Sequence, residues 1–465
     1  MNSGTGYYVF SINGEYYLYD MVGMVIFQID ESLFSVLCKT KNNESLTEAE
    51  RAIVNIFKQN GFLKENIEKP EVDPTEKNVA YLSFAPTYKC NFRCSYCFGG
   101  HGDNYTGVQR EFTNETLCEM LDFFFNIAFP MAKRYRIDFV SGGEPLMGIN
   151  IIKATIEYIE KHICATGKLV SMWLCTNGSL ISDEIIEYLS EHNVSIGISL
   201  DGRKEYNDRH RVDAFGNGTY VQICKGISLV KNNTNASKKI KEIWGLCTAT
   251  NENCDFVDIL RHMKSLGFKN VQIRLIRSEA SYEIEKIVGE YNKLADFLLE
   301  QFSDGNVDYL RMILNDNDQF GKVLKRILLD RVLVRRCNAG VNKVTICPDG
   351  SIYPCDSLVG MPGLALGNIH DISWDKERYP KMTVDMRPKC SNCEIRYLCG
   401  GDCCYNSILK TGCQFIPDVE FCKLQRHIIH LTIMLRYKMQ KTNEFLYERF
   451  VKEEKRKNDY SEFFG

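Results

Sequence analysis

Three cysteines, Cys90, Cys94 and Cys97, stand within eight residues, directly after the apolar segment that begins Leu82-Ser83-Phe84. Three crowded thiolates can reach around one inorganic cluster but cannot complete a four-thiolate shell, so one metal position stays open for another ligand. Their C-x3-C-x2-C spacing differs from the C-x2-C pairs of structural zinc sites and from both ferredoxin spacings. A zinc site or three unrelated buried thiols are the alternatives. A second constellation is Ser141-Gly142-Gly143-Glu144-Pro145. Its glycines let the backbone approach a ligand, and strand-end carbonyls with a carboxylate can receive the N–H bonds of an ammonium group. A third is a cysteine-rich block. Cys337 is followed by twelve residues to Gly350 and four more to Cys355; then come Cys390-x2-Cys393-x5-Cys399-x3-Cys403, and Cys422 closes the set. Zinc knuckles are the metal-bearing alternative there.

The first motif resembles the signature of the radical S-adenosylmethionine (SAM) enzymes, in which three cysteines hold a [4Fe-4S] cluster and SAM chelates the fourth iron. Tyr96 stands where that family places an aromatic residue. By the same resemblance Gly142, Gly143 and Glu144 hold the SAM amino group. Ser199, in Ser199-Leu200-Asp201-Gly202, and Arg211, in Arg209-His210-Arg211, serve the SAM carboxylate and ribose; helix capping and solvation are the plainer readings of these last residues. The cysteine-rich block looks like the SPASM extension, which implies two auxiliary [4Fe-4S] clusters. One takes Cys337, Cys355 and Cys403, the other Cys390, Cys393, Cys399 and Cys422. The first set lacks a fourth ligand. Cys347 could fill it, or the site could stay open for a substrate thiolate; Cys404 and Cys413 are unassigned. Asp356 follows Cys355 directly, where the sulfatase-maturating branch of the family carries a proposed catalytic base, so it is a candidate base here; a turn or capping role is the alternative.

Composition is consistent with this reading. A chain of 465 residues is too long for one ordinary core, and 44% hydrophobic with 25% charged residues describes a globular protein. A net charge of -3 gives no reason to expect nucleic acid. No signal-peptide pattern and no apolar run of spanning length is present, so no membrane association and a cytoplasmic location are expected. In that reducing compartment twenty cysteines read as metal ligands rather than disulfides.

The elements that must position these groups follow from pattern. Tyr7–Ile12 and Tyr16–Tyr19 flank the turn Asn13-Gly14, a hairpin signal. Helical patterns follow at Glu31–Cys38 and Thr47–Asn60, the second opening with Thr47 and Glu50 as a capping box. This N-terminal part resembles the winged-helix peptide-recognition domain fused to maturases of ribosomal peptides; a plain cap on the barrel is the alternative. Lys64–Asn78, charged and holding Pro70 and Pro74, marks a linker. From Val79 to about residue 303 strand candidates (Arg136–Ser141, Leu169–Cys175, Val194–Leu200, Ile240–Cys247, Val271–Ile276) alternate with helices such as Asn114–Phe125, Ile151–Ile163 and Asp183–His192. That alternation implies parallel pairing with right-handed crossovers.

The expected fold is therefore α/β. The resemblance implies a partial (β/α)6 barrel over 79–303, preceded by a winged-helix-like domain over 1–68 and followed by a helical bridge over 304–336, a SPASM domain over 337–422 and one C-terminal helix over 423–465. It further implies an oxidoreductase that installs thioether crosslinks, of the sactipeptide or ranthipeptide kind, in a cysteine-containing precursor peptide, with a flavodoxin- or ferredoxin-type reductant. Formylglycine formation, a carbon–carbon or ether crosslink, and a non-enzymatic iron–sulfur electron carrier are the rival readings.

Overall fold

A computed structural model describes residues 6–64, 78–100, 111–140, 142–233, 243–277, 281–371 and 374–461. Ser141 and most of the expected linker lie outside the described residues. The chain opens with three antiparallel strands, β1 (Tyr7–Ile12), β2 (Glu15–Asp20) and β3 (Val25–Ile29). Asn13 and Gly14 both take positive φ, 51° and 77°. A two-residue hairpin needs that pair of conformations, because it matches the right-handed twist of its strands. Two helices follow, Glu31–Lys41 and Glu48–Gln59. The second carries the expected capping box, Glu50 N donating to Thr47 Oγ1 and Thr47 N to Glu50.

Alternation along β1 and β2 gives this sheet two buried faces. Tyr7, Val9 and Leu18 pack with Val36, Leu37, Val54 and Leu63 into a small core of their own. Tyr8, Phe10, Tyr17 and Tyr19 join the main core instead, together with Ile428, Ile429 and Leu435 of the C-terminal helix.

The main sheet begins with six parallel strands: β4 (Val79–Phe84), β5 (Arg134–Phe139), β6 (Leu169–Thr176), β7 (Val194–Ser199), β8 (Ile243–Ala249) and β9 (Asn270–Leu275). Helices cross between them, as strand–helix alternation requires. The helices Asn114–Asp122 and Ile149–Tyr158 run on into wider π turns over Phe123–Ala128 and Ile159–Ile163.

The sheet does not stop at six strands. A hairpin from the cysteine-rich segment, β10 (Lys343–Ile346) and β11 (Ser351–Tyr353), with the short β12 (Gly367–Asn368), extends it in the order β12-β11-β10-β4-β5-β6-β7-β8-β9. β10 lies parallel to β4, Val344 opposite Leu82 and Thr345 opposite Ser83. Residues 304–336 include the helices Asp308–Ile313 and Gly321–Leu328. The expected single C-terminal helix is two, Val419–Thr442 and Glu444–Ser461, broken where Asn443 leaves helical geometry and its side chain caps Leu446 N at 3.0 Å. The first of them starts before Cys422, so that cysteine sits in a helical first turn rather than in a loop.

At the seam between β4 and β10, Ser83 Oγ and Thr345 Oγ1 share a buried hydrogen bond of 2.6 Å. Replacing Thr345 by Val should leave the Ser83 hydroxyl unpaired and cost about 1–3 kcal/mol. The double variant Ser83→Ala/Thr345→Val should recover most of the loss in anaerobic denaturant unfolding.

Candidate active site

β4 leads into the loop that carries Cys90, Cys94 and Cys97, all three partly buried. A neighbouring segment clamps the loop: Arg93 N donates to Val212 O at 2.7 Å and Ser95 N to His210 O at 2.9 Å. Burial pushes the Cys90 thiol up to about 11, and Glu144, Cys94 and Cys97 add to the shift, so these thiols face one another. Negative charge gathered there is stabilised by metal binding.

The glycine pair after β5 fits against this loop from below. Gly142 takes φ +90°, and a Cβ on Gly143 would lie 2.3 Å from Lys89 O. Only glycine lets the two backbones come so close. Glu144 N then donates to Lys89 O at 2.8 Å. The Glu144 carboxylate is committed internally: it accepts from Thr176 Oγ1 at 2.6 Å, Asn177 N at 2.7 Å and Leu146 N at 3.1 Å. Burial still raises its pKa against these donors. Glu144 thus ties the end of β5 to the end of β6.

Arg211 is buried, whereas Arg209 is exposed, which separates the two candidates. Arg211 Nη1 donates to Tyr96 Oη at 2.8 Å, and Tyr96 Oη donates to Asp201. Asp201 also accepts from Thr248 N at 3.0 Å. Tyr96 therefore braces Arg211. Its Nε is buried with no hydrogen-bond partner, and Arg211 acts electrostatically on Cys94 and Glu144. An orphaned guanidinium N–H beside the three cysteines suits a carboxylate, so the residues present fit SAM. Ser199, at the end of β7, hydrogen-bonds the Cys175 thiol on β6.

The C-terminal cysteines form two groups. Burial pushes the Cys422 thiol up to about 12, and Cys399, Cys390 and Cys393 add to it. Cys355 is raised by burial, with Asp356, Cys403 and Cys337 reinforcing. Among the described residues no three Cys, His, Asp or Glu side chains are placed to hold a single ion; a cubane cluster holds its thiolates further apart and does not require that.

Cys347 does not join the Cys337–Cys355–Cys403 group. It is buried among Ala85, Tyr88, Tyr353 and Val359 and hydrogen-bonds Tyr88. The reason is register: Ile346 pairs with Ile352 and Thr345 with Tyr353, which sets Cys347 at the turn of the hairpin, whereas Cys355 lies beyond the far end of β11. Cys404 is the residue that does approach. It lines one cavity with Cys337, Arg387 and Tyr379, and Arg387 Nη2 donates to its Sγ at 3.3 Å. Burial takes its thiol up to about 12, with Cys337 and Cys403 contributing.

Two residues that sequence reasoning passed over lie between the cysteine groups. Arg274, on β9, is solvent-accessible, yet burial and the neighbouring Arg277 push its guanidinium down to about 10. Asp356, Cys403 and Cys175 act on it electrostatically, while its Nε and Nη2 donate to Asn317 O and Oδ1 at 2.8 Å. Arg277 lies over the rings of Phe98, next to Cys97, and Tyr405, at 5.3 and 5.4 Å, and donates to Ser357 Oγ at 2.9 Å. The only sequence signal was a pair of arginines at the end of the last parallel strand.

Residues 84–276 match the radical SAM superfamily, and residues 337–394 match the SPASM iron–sulfur cluster-binding domain. Over 342 residues the chain is 28% identical to the cysteine-type anaerobic sulfatase-maturating enzyme of Clostridium perfringens, covering 68% of this chain and 85% of that protein. It is 23% identical over 453 residues to the radical SAM cyclopropyl synthase TigE of Paramaledivibacter caminithermalis, covering 87% and 90%. The solved structure of native anSMEcpe with bound AdoMet superposes with a TM-score of 0.63 at 22% identity, over 78% of this chain and all of that one. The chain thus carries a radical SAM domain and a SPASM domain, which mark it as an enzyme and imply [4Fe-4S] clusters and SAM as cofactors. No helix among the described residues is long and apolar enough to cross a membrane.

Arg211→Lys keeps the charge but loses the fork braced by Tyr96. SAM affinity should fall about tenfold or more, the worth of one charged hydrogen bond of about 1.5–3 kcal/mol, while iron content stays unchanged; equilibrium dialysis and iron assay measure both. Cys347→Ala should retain the full iron complement of the reconstituted protein, whereas Cys404→Ala should lower it or alter its Mössbauer spectrum.

Proposed function

We propose that this enzyme oxidises a cysteine-containing ribosomal precursor peptide by two electrons and closes a thioether between a cysteine sulfur and an acceptor carbon. The single observation that carries this reading is the run of charged groups between the two cysteine groups, which we read as lining one recess. Glu144, Arg211 and Arg274 all act electrostatically on Cys175, and Asp356 and Cys403 act on Arg274. When bound, SAM and the clusters supply a 5′-deoxyadenosyl radical that takes a hydrogen atom from carbon, and a sink for the electron that remains. The chain's own residues do the rest. Arg211 orients the SAM carboxylate, the Gly142-Gly143 backbone admits its amino group, and Asp356 accepts the thiol proton as the carbon–sulfur bond forms. Arg274 and Arg277 keep the recess positive for an anionic thiolate.

The N-terminal sheet supports a peptide substrate. Among the described residues no strand covers the outer edge of β3. Val22, Val25, Ile53 and Ile56 are exposed on this small domain. An open edge beside apolar side chains suits an added peptide strand. Formylglycine formation is the second reading, favoured by the similarity to sulfatase-maturating enzymes. Its first two events, hydrogen removal from carbon and proton removal from the thiol, are the same, and only the position of the carbon relative to the sulfur differs.

Reconstituted protein, reductant and SAM should release 5′-deoxyadenosine; an electron carrier would release none. With a small cysteine-rich peptide encoded beside the gene, mass spectrometry should show loss of two hydrogens per bridge, sulfur retained and free thiol gone. Loss of sulfur and two hydrogens with gain of one oxygen on one cysteine would instead establish the second reading. Asp356→Asn should lower peptide turnover about 10²–10⁴-fold, the usual worth of a general base, and leave SAM binding intact.

A further inference from the structure

The group of Cys390, Cys393, Cys399 and Cys422 is wired to the N-terminal domain. Arg426, one turn beyond Cys422 on the helix Val419–Thr442, donates through Nη2 to Cys393 Sγ at 3.8 Å. Its Nη1 donates to Tyr8 Oη on β1 at 2.8 Å and to Glu394 at 3.1 Å. Tyr8 is 2% exposed, and its oxygen lies 2.5 Å from His430 Nε2. Burial, with Arg426 and His427 adding, holds His430 down to about 3, so its ring is neutral and accepts the Tyr8 proton. The hydrogen bonds therefore run in one direction, from Arg426 to sulfur on one side and through Tyr8 to His430 on the other. A second contact reinforces the first: Lys41, the last residue of the helix Glu31–Lys41, pairs with Glu394, the neighbour of Cys393, and lies 5.3 Å over the Tyr8 ring.

A hydrogen bond from a cation to a ligating sulfur draws charge from the cluster and makes its reduction easier. A cation anchored only to solvent would be screened and mobile. This one is fixed by a buried tyrosine from another part of the chain. We infer that Arg426 sets the reduction potential of the auxiliary cluster that Cys393 helps to hold, and that Tyr8 of the N-terminal sheet is the positioning residue that keeps it there. The inference rests on the ligand set Cys390, Cys393, Cys399 and Cys422. It gives the N-terminal domain a second role besides peptide capture, because the domain supplies part of the cluster's electrostatic environment.

The test is an EPR-monitored potentiometric titration of the anaerobically reconstituted full chain, with iron and sulfide assayed in parallel. Arg426→Gln should make one midpoint more negative by about a tenfold change in the reduction equilibrium, ~59 mV for one electron, and leave the others in place. Tyr8→Phe should move the same midpoint in the same direction by less, with iron content unchanged. Arg426→Lys should fall between wild type and Arg426→Gln. A purely structural Arg426 would change thermal stability and no midpoint, and that result overturns the inference. If Arg426→Gln loses iron, Tyr8→Phe decides, since it keeps both the arginine and the buried ring. Cys393→Ala separates the two levels. Loss of one cluster's iron upholds the ligand set, and full retention removes that set and this inference with it.

Discussion

Parallel pairing of β10 with β4 is the constraint on which the rest depends. β4 leads directly to Cys90, and β10 and β11 lead to Cys355, so one ladder ties the SAM-side loop and the first auxiliary group to a single rigid sheet. Sequence separation between the paired strands exceeds 250 residues, and the entropy of closing so long a loop is offset only by burial along the seam. Ser83 and Thr345 satisfy each other there, while Leu82, Val344 and Ile346 fill the core beside them.

Beside the loop that carries Cys94 and Cys97, charge is managed by burial in pairs. Asp201 and Arg211 are both removed from water, and either alone would be costly; the Tyr96 hydroxyl bridges them. Burial raises Asp201 while Arg211 opposes the shift. Glu144 is desolvated too, and three donors from the strand ends compensate. What is left unpaired is Arg211 Nε, buried and with no partner in the protein. Such an imbalance is what a site for a carboxylate-bearing cofactor should show before the cofactor arrives.

The N-terminal sheet is built into the enzyme rather than hung from it. Residues of one parity along β1 close a small core with two helices, and those of the other parity extend the main core against the helix Val419–Thr442. Phe10 stacks on His430 at 4.3 Å between ring centroids. That same helix carries Cys422 and Arg426. The N-terminal sheet, Cys422 and Arg426 therefore meet on one rigid element, which short-range sequence patterns do not reveal.

Local physics made much of this legible from the sequence. Cysteine spacing, the Gly-Gly-Glu-Pro turn, the Asn13-Gly14 hairpin and the Thr47/Glu50 capping box depend on residues a few positions apart, and the chain presents them directly. Strand–helix alternation gave the parallel sheet for the same reason. The tertiary structure decided what depends on distant partners: that Glu144 bonds the end of β6, that Arg211 rather than Arg209 is buried, that Arg274 and Arg277 come near the second cysteine group, and that the tail breaks at Asn443. Cys347 shows the difference most directly. By spacing it was as good a ligand as any, but hairpin register carries it away from Cys355 and leaves Cys404, on a separate helix, beside the group instead. Spacing fixes which residues can reach a common point; only strand pairing and packing fix which of them do.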